Sequence, residues 1–349
     1  MSAPAVYPIG RAARDRFVLE RRGPRRLVDP WAPPRVVVDP EPDGAGGVVD
    51  VITLFLTGRE CPWRCVMCDL WRDTLETDTP PGAIPRQIRL ALAPGSEPSS
   101  GLSSELAPQV RRHLKLYNAG SFFDPRAVPP EDDQAIADAV ADVARVTVES
   151  HPRLVGDRTW RFRDRLAPAL EVAMGLETAH PGALARLNKG CTVDDFAAAA
   201  AALAAHGVGL RVFLLVHPPF VARDERSAWL RRSIDVAVDA GASTIALIPT
   251  RGDTGAMPAL AELGEFAPPT LADLETSAAR ALHSVQRSVQ SRVRIVADLW
   301  DLQAFATCAD CLDARRARLL RQNVEQRVPG PIACATCGGT RPAGVGGCP

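Results

Sequence analysis

Apolar residues fall into two kinds of segment along this chain, and their order predicts a parallel sheet flanked by helices. Short apolar runs typical of buried strands alternate with longer stretches in which apolar residues recur at helical spacing. The predicted strands are residues 48–56, 114–118, 145–150, 169–176, 209–216 and 243–248, with 293–297 as a candidate seventh. Such a repeated alternation is typical of βαβ units. It therefore predicts an α/β fold.

The sequence divides into three parts around this alternation. Residues 1–47 are rich in proline, arginine and glycine and predict an extended segment across the domain surface. Residues 48–300 carry the strand and helix pattern and form the predicted core domain. Residues 301–349 contain paired cysteines and predict a small metal-binding appendage. Within the core domain, residues 93–104 are rich in serine and glycine and predict a flexible insertion.

Composition narrows the class of protein. The hydrophobic fraction of 46% is sufficient for a large core, and the formal net charge of zero excludes a chain-wide attraction to nucleic acid. Seven arginines nevertheless crowd the start of the chain: Arg11, Arg14, Arg16, Arg21, Arg22, Arg25 and Arg26. Such a run either binds phosphates or forms a solvated arm.

The nine cysteines indicate metal ligands in a reducing compartment. The first thirty residues lack an apolar core of signal-peptide length, and no apolar run reaches about 18 residues. We therefore expect a cytoplasmic protein that does not bind a membrane.

Three cysteines follow the first predicted strand of the core domain. Cys61, Cys65 and Cys68 form a C-x3-C-x2-C run. Thiolate sulfur is the preferred ligand of iron in Fe-S clusters, and three thiolates leave one iron of a four-iron cluster open to a further ligand. A zinc site or a redox dithiol is the alternative that short cysteine spacings allow.

This loop resembles the signature of the radical S-adenosylmethionine (SAM) superfamily, and Trp63 and Met67 fit that signature too. The resemblance implies a partial TIM-like (β/α)6 barrel, a [4Fe-4S] cluster and SAM. It implies that the open iron chelates SAM, and that electron transfer cleaves SAM to a 5′-deoxyadenosyl radical that abstracts hydrogen from the substrate. The cofactors would supply this chemistry and the protein would supply positioning.

The resemblance also suggests which strand ends contact SAM. Asn118, Gly120 and Ser121 lie where the family holds the SAM amino group, although the segment departs from the commoner Gly-Gly-Glu form. Without the resemblance this segment is simply a turn. Glu149 and the pair Glu177 and Thr178 end the next two strands. Their oxygens would accept hydrogen bonds from ribose hydroxyls or the amino group, and the alternative for each acid is an ordinary surface residue.

The substrate expected from the resemblance is a nucleoside in tRNA. Residues 117–125, 148–152, 175–178 and 187–190 resemble the branch that includes the radical SAM subunit of archaeosine synthase, the elongator catalytic subunit and methylthiotransferases. Lys189 is a candidate contact to substrate or phosphate. Expected partners are tRNA and a reductase or a flavodoxin- or ferredoxin-type electron donor. Alternatives are a small-molecule or peptide substrate, or a non-catalytic Fe-S or zinc protein that binds RNA.

Two further cysteine pairs lie near the C-terminus. Cys308 and Cys311 are separated from Cys334 and Cys337 by 22 residues, which is close to zinc-ribbon spacing. The sequence predicts a structural zinc site. A second Fe-S cluster and reduced thiols without a metal stay open, and Cys348 is an alternative ligand.

Overall fold

The computed structural model describes residues 6–93, 100–101, 113–118, 120–287 and 293–340. Most of the insertion predicted for residues 93–104 lies outside these ranges, and so does Cys348.

The structure is built on one nine-stranded sheet. Its strands are β1 (Arg35–Pro42), β2 (Val48–Leu56), β3 (Ser100–Gly101), β4 (His113–Asn118), β5 (Arg145–Glu149), β6 (Ala169–Glu177), β7 (Gly209–Val216), β8 (Thr244–Pro249) and β9 (Arg294–Ala297). They follow the order β3-β1-β2-β4-β5-β6-β7-β8-β9. Each neighbouring pair from β2 to β9 is parallel, whereas β1 runs antiparallel to β2. All six predicted strands and the candidate seventh are thus confirmed.

Helices follow the parallel strands, as the sequence pattern predicts. They are α1 (Arg11–Leu19), α2 (Ala83–Leu92), α3 (Asp133–Ala139), α4 (Asp157–Arg165), α5 (Pro181–Arg186), α6 (Val193–Ala205), α7 (Arg226–Asp239), α8 (Met257–Glu262), α9 (Leu271–Gln286) and α10 (Leu312–Glu325). The main apolar core lies between sheet and helices, where alternate residues of β2, such as Leu54, pack with Ile84 and Ile88 of α2. Because side chains alternate along a strand, the other residues of each strand face the barrel lumen.

The last helix closes the partial barrel. Helix α10 packs against both β1 and β9, which lie near opposite ends of the sheet. Asn323 of α10 and Gln326, the residue that follows the helix, pair with the backbone of β9 through their side-chain amides. Asn323 accepts from the Ala297 N–H and donates to its carbonyl, at 2.8 Å each, and Gln326 does the same at Ile295, at 2.9 Å each. The amides thus satisfy backbone groups that a further strand would otherwise bind.

Strand β1 lies within the segment that the sequence predicted to be extended. Val36 and Val38 are buried in the main core, so this stretch is part of the sheet. Helix α1 lies in the same N-terminal segment, and its Phe17 and Val18 pack in a second apolar cluster. The domain boundaries at residues 47 and 300 stay predictions.

The amino ends of the strands enclose a layer of buried ion pairs. Glu41 contacts both Lys115 and Arg211, the latter at 2.5 Å, and Arg211 contacts Glu171 at 3.3 Å. Thr147 adds a 3.0 Å hydrogen bond to Glu171. These side chains fill the barrel lumen at the amino ends of the parallel strands. A ligand-binding site is therefore expected at the opposite mouth, at the carboxyl ends of the strands.

Candidate active site

The cysteine loop lies at this mouth, immediately after β2, and a second loop holds it in place. The Val66 N–H donates to the Leu187 carbonyl at 3.0 Å. The Asn188 side-chain amide donates to the Arg64 carbonyl at 2.9 Å and to Asp15 at 2.7 Å. Residues 187–190, which the sequence singled out as family-like, therefore clamp the loop that carries the three cysteines.

An aromatic stack fixes the middle of the cysteine loop. The Trp63 indole lies parallel to the His151 imidazole, with ring centroids 3.5 Å apart and an interplanar angle of 9°. On another side, a Cβ at Gly190 would come within 2.9 Å of the Trp63 Cδ1, and Gly190 has a φ of +75°. Only glycine adopts that conformation readily and leaves that space. The His151 Nε2 lies 3.0 Å from the Lys189 carbonyl, which ties the stack to the same clamp.

The three loop cysteines are half-buried and lie close enough to influence the pKa values of one another. Burial raises the pKa of Cys68 to about 12 and the pKa of Cys65 well above its ordinary value, and the neighbouring thiolates add to both rises. The Lys189 ammonium opposes the rise in the pKa of Cys65. Such thiols ionise readily only beside a strong cationic partner, as the iron of a cluster provides.

Lys189 forms a buried ion pair with Glu177, so the structure brings two predicted site residues together. The Lys189 Nζ lies 2.6 Å from the Glu177 Oε1, and each side chain is 10% exposed. The Glu177 carboxylate raises the pKa of Lys189 against the opposing effect of burial. Gly175 leaves room for the pair, because a Cβ there would lie 2.0 Å from the Glu177 Oε1 and 2.6 Å from the Lys189 Nζ.

Asn118 carries an unsatisfied amide at the end of β4. The residue is 5% exposed, and neither its Oδ1 nor its Nδ2 has a hydrogen-bond partner in the part of the chain that the structure describes. A buried amide without partners is costly unless a ligand or water completes it. Close by, a Cβ at Gly120 would lie 2.6 Å from the Arg59 carbonyl oxygen, so the backbone there is tightly packed.

Glu149 is the second carboxyl group at this mouth. Burial raises the pKa of Glu149 to about 8, against the opposing effects of the Asn118 backbone N–H and the Lys189 ammonium. Glu177 raises the pKa of Glu149 further. The Asn118 backbone N–H binds Glu149, and the charges of Lys189 and Glu177 act on the pKa of both Glu149 and Cys65.

Two predicted contacts have hydroxyl groups that already accept hydrogen bonds from the protein. The Ser121 Oγ accepts from the His151 N–H at 2.6 Å, and the Thr178 Oγ1 accepts from the His180 N–H at 3.1 Å. Their roles as SAM contacts stay predictions.

Glu60 is a structural residue of this site that the sequence analysis missed. It directly precedes Cys61 and forms ion pairs with Arg22 at 2.8 Å, Arg25 at 2.5 Å and Arg64 at 3.1 Å. Two arginines of the N-terminal run therefore brace the cysteine loop. The position of Glu60 beside Cys61 is visible in the sequence, but the sequence does not indicate which arginines would contact Glu60.

Three more arginines of that run bond to the protein. Arg14 donates to the Ala185 carbonyl at 2.7 Å, Arg21 donates to the Phe17 carbonyl at 3.0 Å, and Arg26 pairs with Asp73 at 3.1 Å. Arg11 and Arg16 are exposed. The N-terminal run is thus in large part a structural brace, and its role in RNA contact stays a prediction.

The C-terminal cysteines form a compact tetrad. Within the described ranges, Cys308, Cys311, Cys334 and Cys337 are the only group of three or more candidate ligands whose donor atoms all lie within 4.8 Å of one another. The Sγ atoms of Cys308 and Cys334 are 3.9 Å apart, and those of Cys311 and Cys337 are 3.7 Å apart. A tetrahedron with metal–sulfur bonds of about 2.3 Å has an edge of about 3.8 Å. The tetrad therefore fits one metal ion, whereas no such compact group among the described residues contains the loop cysteines.

Comparisons with known proteins fit this geometry. No family model matches the chain. The archaeosine synthase subunit beta of Methanosarcina acetivorans is 32% identical over 165 residues, which cover 45% of this chain and 47% of that protein. The protein of the same name from Thermococcus kodakarensis is 31% identical over 115 residues, covering 31% of this chain and 36% of that protein. The chain therefore spans about half the length of these relatives or less.

The solved structure of methylornithine synthase shares the fold. It superposes with a TM-score of 0.51 at 12% identity and covers 91% of this chain and 77% of that protein. Among the described residues, no helix is both long and apolar enough to cross a membrane. The partial TIM-like barrel is confirmed by this shared fold, and the expected resemblance to archaeosine synthase is confirmed by the two relatives of that name.

Proposed function

We propose that this protein is a radical SAM enzyme that modifies a nucleoside in tRNA. Cys61, Cys65 and Cys68 would hold a [4Fe-4S] cluster with one open iron. The observation that carries the proposal is the unsatisfied side-chain amide of Asn118, a residue whose backbone N–H binds the buried Glu149. A buried amide with both atoms unpaired favours a polar ligand at the position where the family binds the amino group of SAM.

When bound, the cluster and SAM supply the 5′-deoxyadenosyl radical, and the chain's own residues position them. Asn118 would bind the amino group of SAM. Glu149, whose raised pKa keeps it largely protonated at neutral pH, would donate a hydrogen bond to the ribose or the carboxylate. The pair of Lys189 and Glu177 holds a fixed charge arrangement beside Cys65. The stack of Trp63 on His151 keeps the cysteine loop in one conformation.

The choice of tRNA as substrate is supported by the names of the relatives, both archaeosine synthase subunits. The exposed arginines Arg11 and Arg16 lie on α1, next to the clamp of the cysteine loop, and are candidate phosphate contacts. An electron donor of the reductase, flavodoxin or ferredoxin class would reduce the cluster. We propose a cytoplasmic location for this system.

For the C-terminal tetrad we propose structural zinc. Four thiolates without a free coordination position are typical of structural zinc, and the sulfur separations of 3.7 and 3.9 Å support one ion rather than a cluster. Cys311 immediately precedes α10, so a bound ion would join the C-terminal segment to the helix that closes the barrel.

The test is anaerobic reconstitution with iron and sulfide, followed by SAM and dithionite, with chromatography for 5′-deoxyadenosine. Wild-type protein should form it, Cys65→Ala should not, and Cys191→Ala should, because Cys191 is a buried thiol outside both metal sites. Added tRNA should raise the yield or consume SAM. A formed cluster that yields no 5′-deoxyadenosine would favour a non-catalytic metal protein. A yield that only small molecules or peptides change would contradict tRNA as substrate.

A further inference from the structure

Two large aromatic side chains remain exposed near the mouth of the barrel. Phe55, near the carboxyl end of β2, is 38% exposed, and Trp300, three residues after β9, is 40% exposed. Their ring centroids lie 6.1 Å apart with an interplanar angle of 47°, so the rings form a corner. The Arg35 guanidinium lies over the indole, 3.8 Å from the centroid of Trp300. Phe55, Trp300 and Arg35 are called the aromatic corner below.

Strand register places the aromatic corner on the lumen side of the sheet. Arg35, Phe55 and Tyr117 lie directly opposite one another on β1, β2 and β4. Directly paired residues project from the same face of a sheet. Tyr117 meets Phe213 of β7 at a centroid distance of 6.0 Å, and contact between these non-adjacent strands takes place across the lumen. Phe55 and Arg35 therefore face the lumen as well.

One arginine connects the aromatic corner to the cysteine loop. The Arg251 guanidinium lies 2.5 Å from Asp301, the residue after Trp300, and 3.4 Å from the Trp300 carbonyl oxygen. Its Nε lies 3.9 Å from Asp69, the residue after Cys68. One guanidinium group thus contacts the residues that directly follow Trp300 and Cys68 in the chain.

We propose that the aromatic corner is the subsite that binds the flat base of the substrate nucleoside by stacking. This inference rests on the proposed function and adds the residues that select the substrate. Proteins bind unpaired bases by stacking them on aromatic rings and arginine planes. Arg35 covers part of the indole, and the remaining exposed surface of Trp300 and Phe55 is open to a planar ligand. The connection through Arg251 places that ligand beside the cysteine loop, where hydrogen abstraction would occur.

The test measures base binding apart from radical chemistry. Saturation-transfer NMR on the reconstituted full chain would use guanosine 5′-monophosphate as the probe and ribose 5-phosphate as the baseless comparison. Trp300→Ala should weaken binding of the nucleotide at least fivefold, and Trp300→Phe should restore most of it. Trp31→Ala is the matched control, because Trp31 is a tryptophan of similar exposure, 42%, in the N-terminal segment. It should bind like the wild type.

Formation of 5′-deoxyadenosine is measured on the same samples. A wild type that forms it but shows no transfer to the base, or equal binding in Trp300→Ala, would overturn the base subsite while the proposed function stands. Base binding that depends on Trp300 without any 5′-deoxyadenosine would support the subsite and contradict the proposed function. A dimer in sedimentation that dissociates in Trp300→Ala, with no nucleotide binding, would assign the aromatic corner to a subunit interface and overturn the proposal.

Discussion

The two cysteine sites of this chain differ in how far their sulfurs are from one another and in what surrounds them. The C-terminal tetrad is compact, and its sulfurs lie at the spacing of one tetrahedral ion. The loop triad is not part of any such compact group within the described ranges. Its surroundings include a buried ion pair, an aromatic stack and an unsatisfied amide.

The two sites therefore differ in their relation to the fold. A metal ion bound by the C-terminal tetrad would stabilise the C-terminal segment, whereas the loop triad is held in place by the surrounding protein. Cys308 and Cys311 lie just before α10, Cys334 and Cys337 lie in a later loop, and a bound ion would fix the geometry of all four.

The loop triad is supported by residues from distant parts of the chain. Asn188 of the clamp binds the loop backbone, Arg22 binds Glu60, and His151 stacks on Trp63. Such support is expected where cofactor atoms must be positioned precisely.

The largest expected effect is the separate loss of the two metals. Cys65→Ala should abolish cluster iron after reconstitution and keep about one zinc per chain, since the tetrad is intact. Cys334→Ala should lose zinc and keep the iron. Metal and sulfide analysis of both variants checks this. Loss of both metals in either variant would show that the two sites are not independent.

The next effect tests whether the C-terminal region is part of the barrel. Asn323→Ala leaves the N–H and carbonyl of Ala297 without their partners, so the free energy of unfolding should fall by about 2–4 kcal/mol. Urea unfolding measures it. Arg321→Ala, an exposed position on the same helix, is the control and should change stability little. Equal stability of both variants would mean that α10 does not support the edge of β9.

A smaller loss is expected when the stack on the cysteine loop is disturbed. Gly190→Ala introduces a Cβ near the Trp63 indole and strains a left-handed backbone, so unfolding free energy should fall by about 1–3 kcal/mol and cluster yield should drop. Gly207→Ala carries a similar strain, with a φ of +67° and open space around the Cβ position. It should lose stability without affecting the cluster. A cluster yield in Gly190→Ala equal to that of Gly207→Ala would contradict the role of the stack.

The smallest effect concerns the pH dependence of the apo-protein. The pKa of Glu149 is about 8 in the folded chain and near 4.3 when unfolded, so the folded state binds the extra proton between these values. Stability should therefore fall as pH rises from about 5 to 8, and Glu149→Gln should remove roughly 1–3 kcal/mol of that fall. Melting temperatures of both proteins across this range check the slope. If stability falls with pH equally in the wild type and in Glu149→Gln, the pKa of Glu149 is not raised in the folded protein.

The sequence predicted elements well where one local pattern determines them. The apolar runs predicted all seven parallel strands, because each run is long enough to indicate a buried strand by itself. Strand β1 was missed because its three valines lie between proline-rich stretches, and its pairing with β2 depends on distant residues.

The candidate site shows the same limit. The three cysteines could be recognised from spacing alone, and Lys189 was singled out only by its position. That Lys189 would bind Glu177, or that Glu60 would bind Arg22 and Arg25, depends on how the barrel closes. The lumen charges Lys115, Glu171 and Arg211 each lie within an apolar strand, and only the closed sheet brings them together.

The side-chain amides of Asn323 and Gln326, at the C-terminal end of α10, also affect how molecules of this protein interact with each other. A parallel sheet that stops at β9 would offer its free edge to a strand from a second chain, a common route to aggregation. Asn323 and Gln326 occupy that edge with groups that end the hydrogen-bond ladder. Without α10 this edge of β9 would be free, so we expect a chain that ends before α10 to self-associate at high concentration.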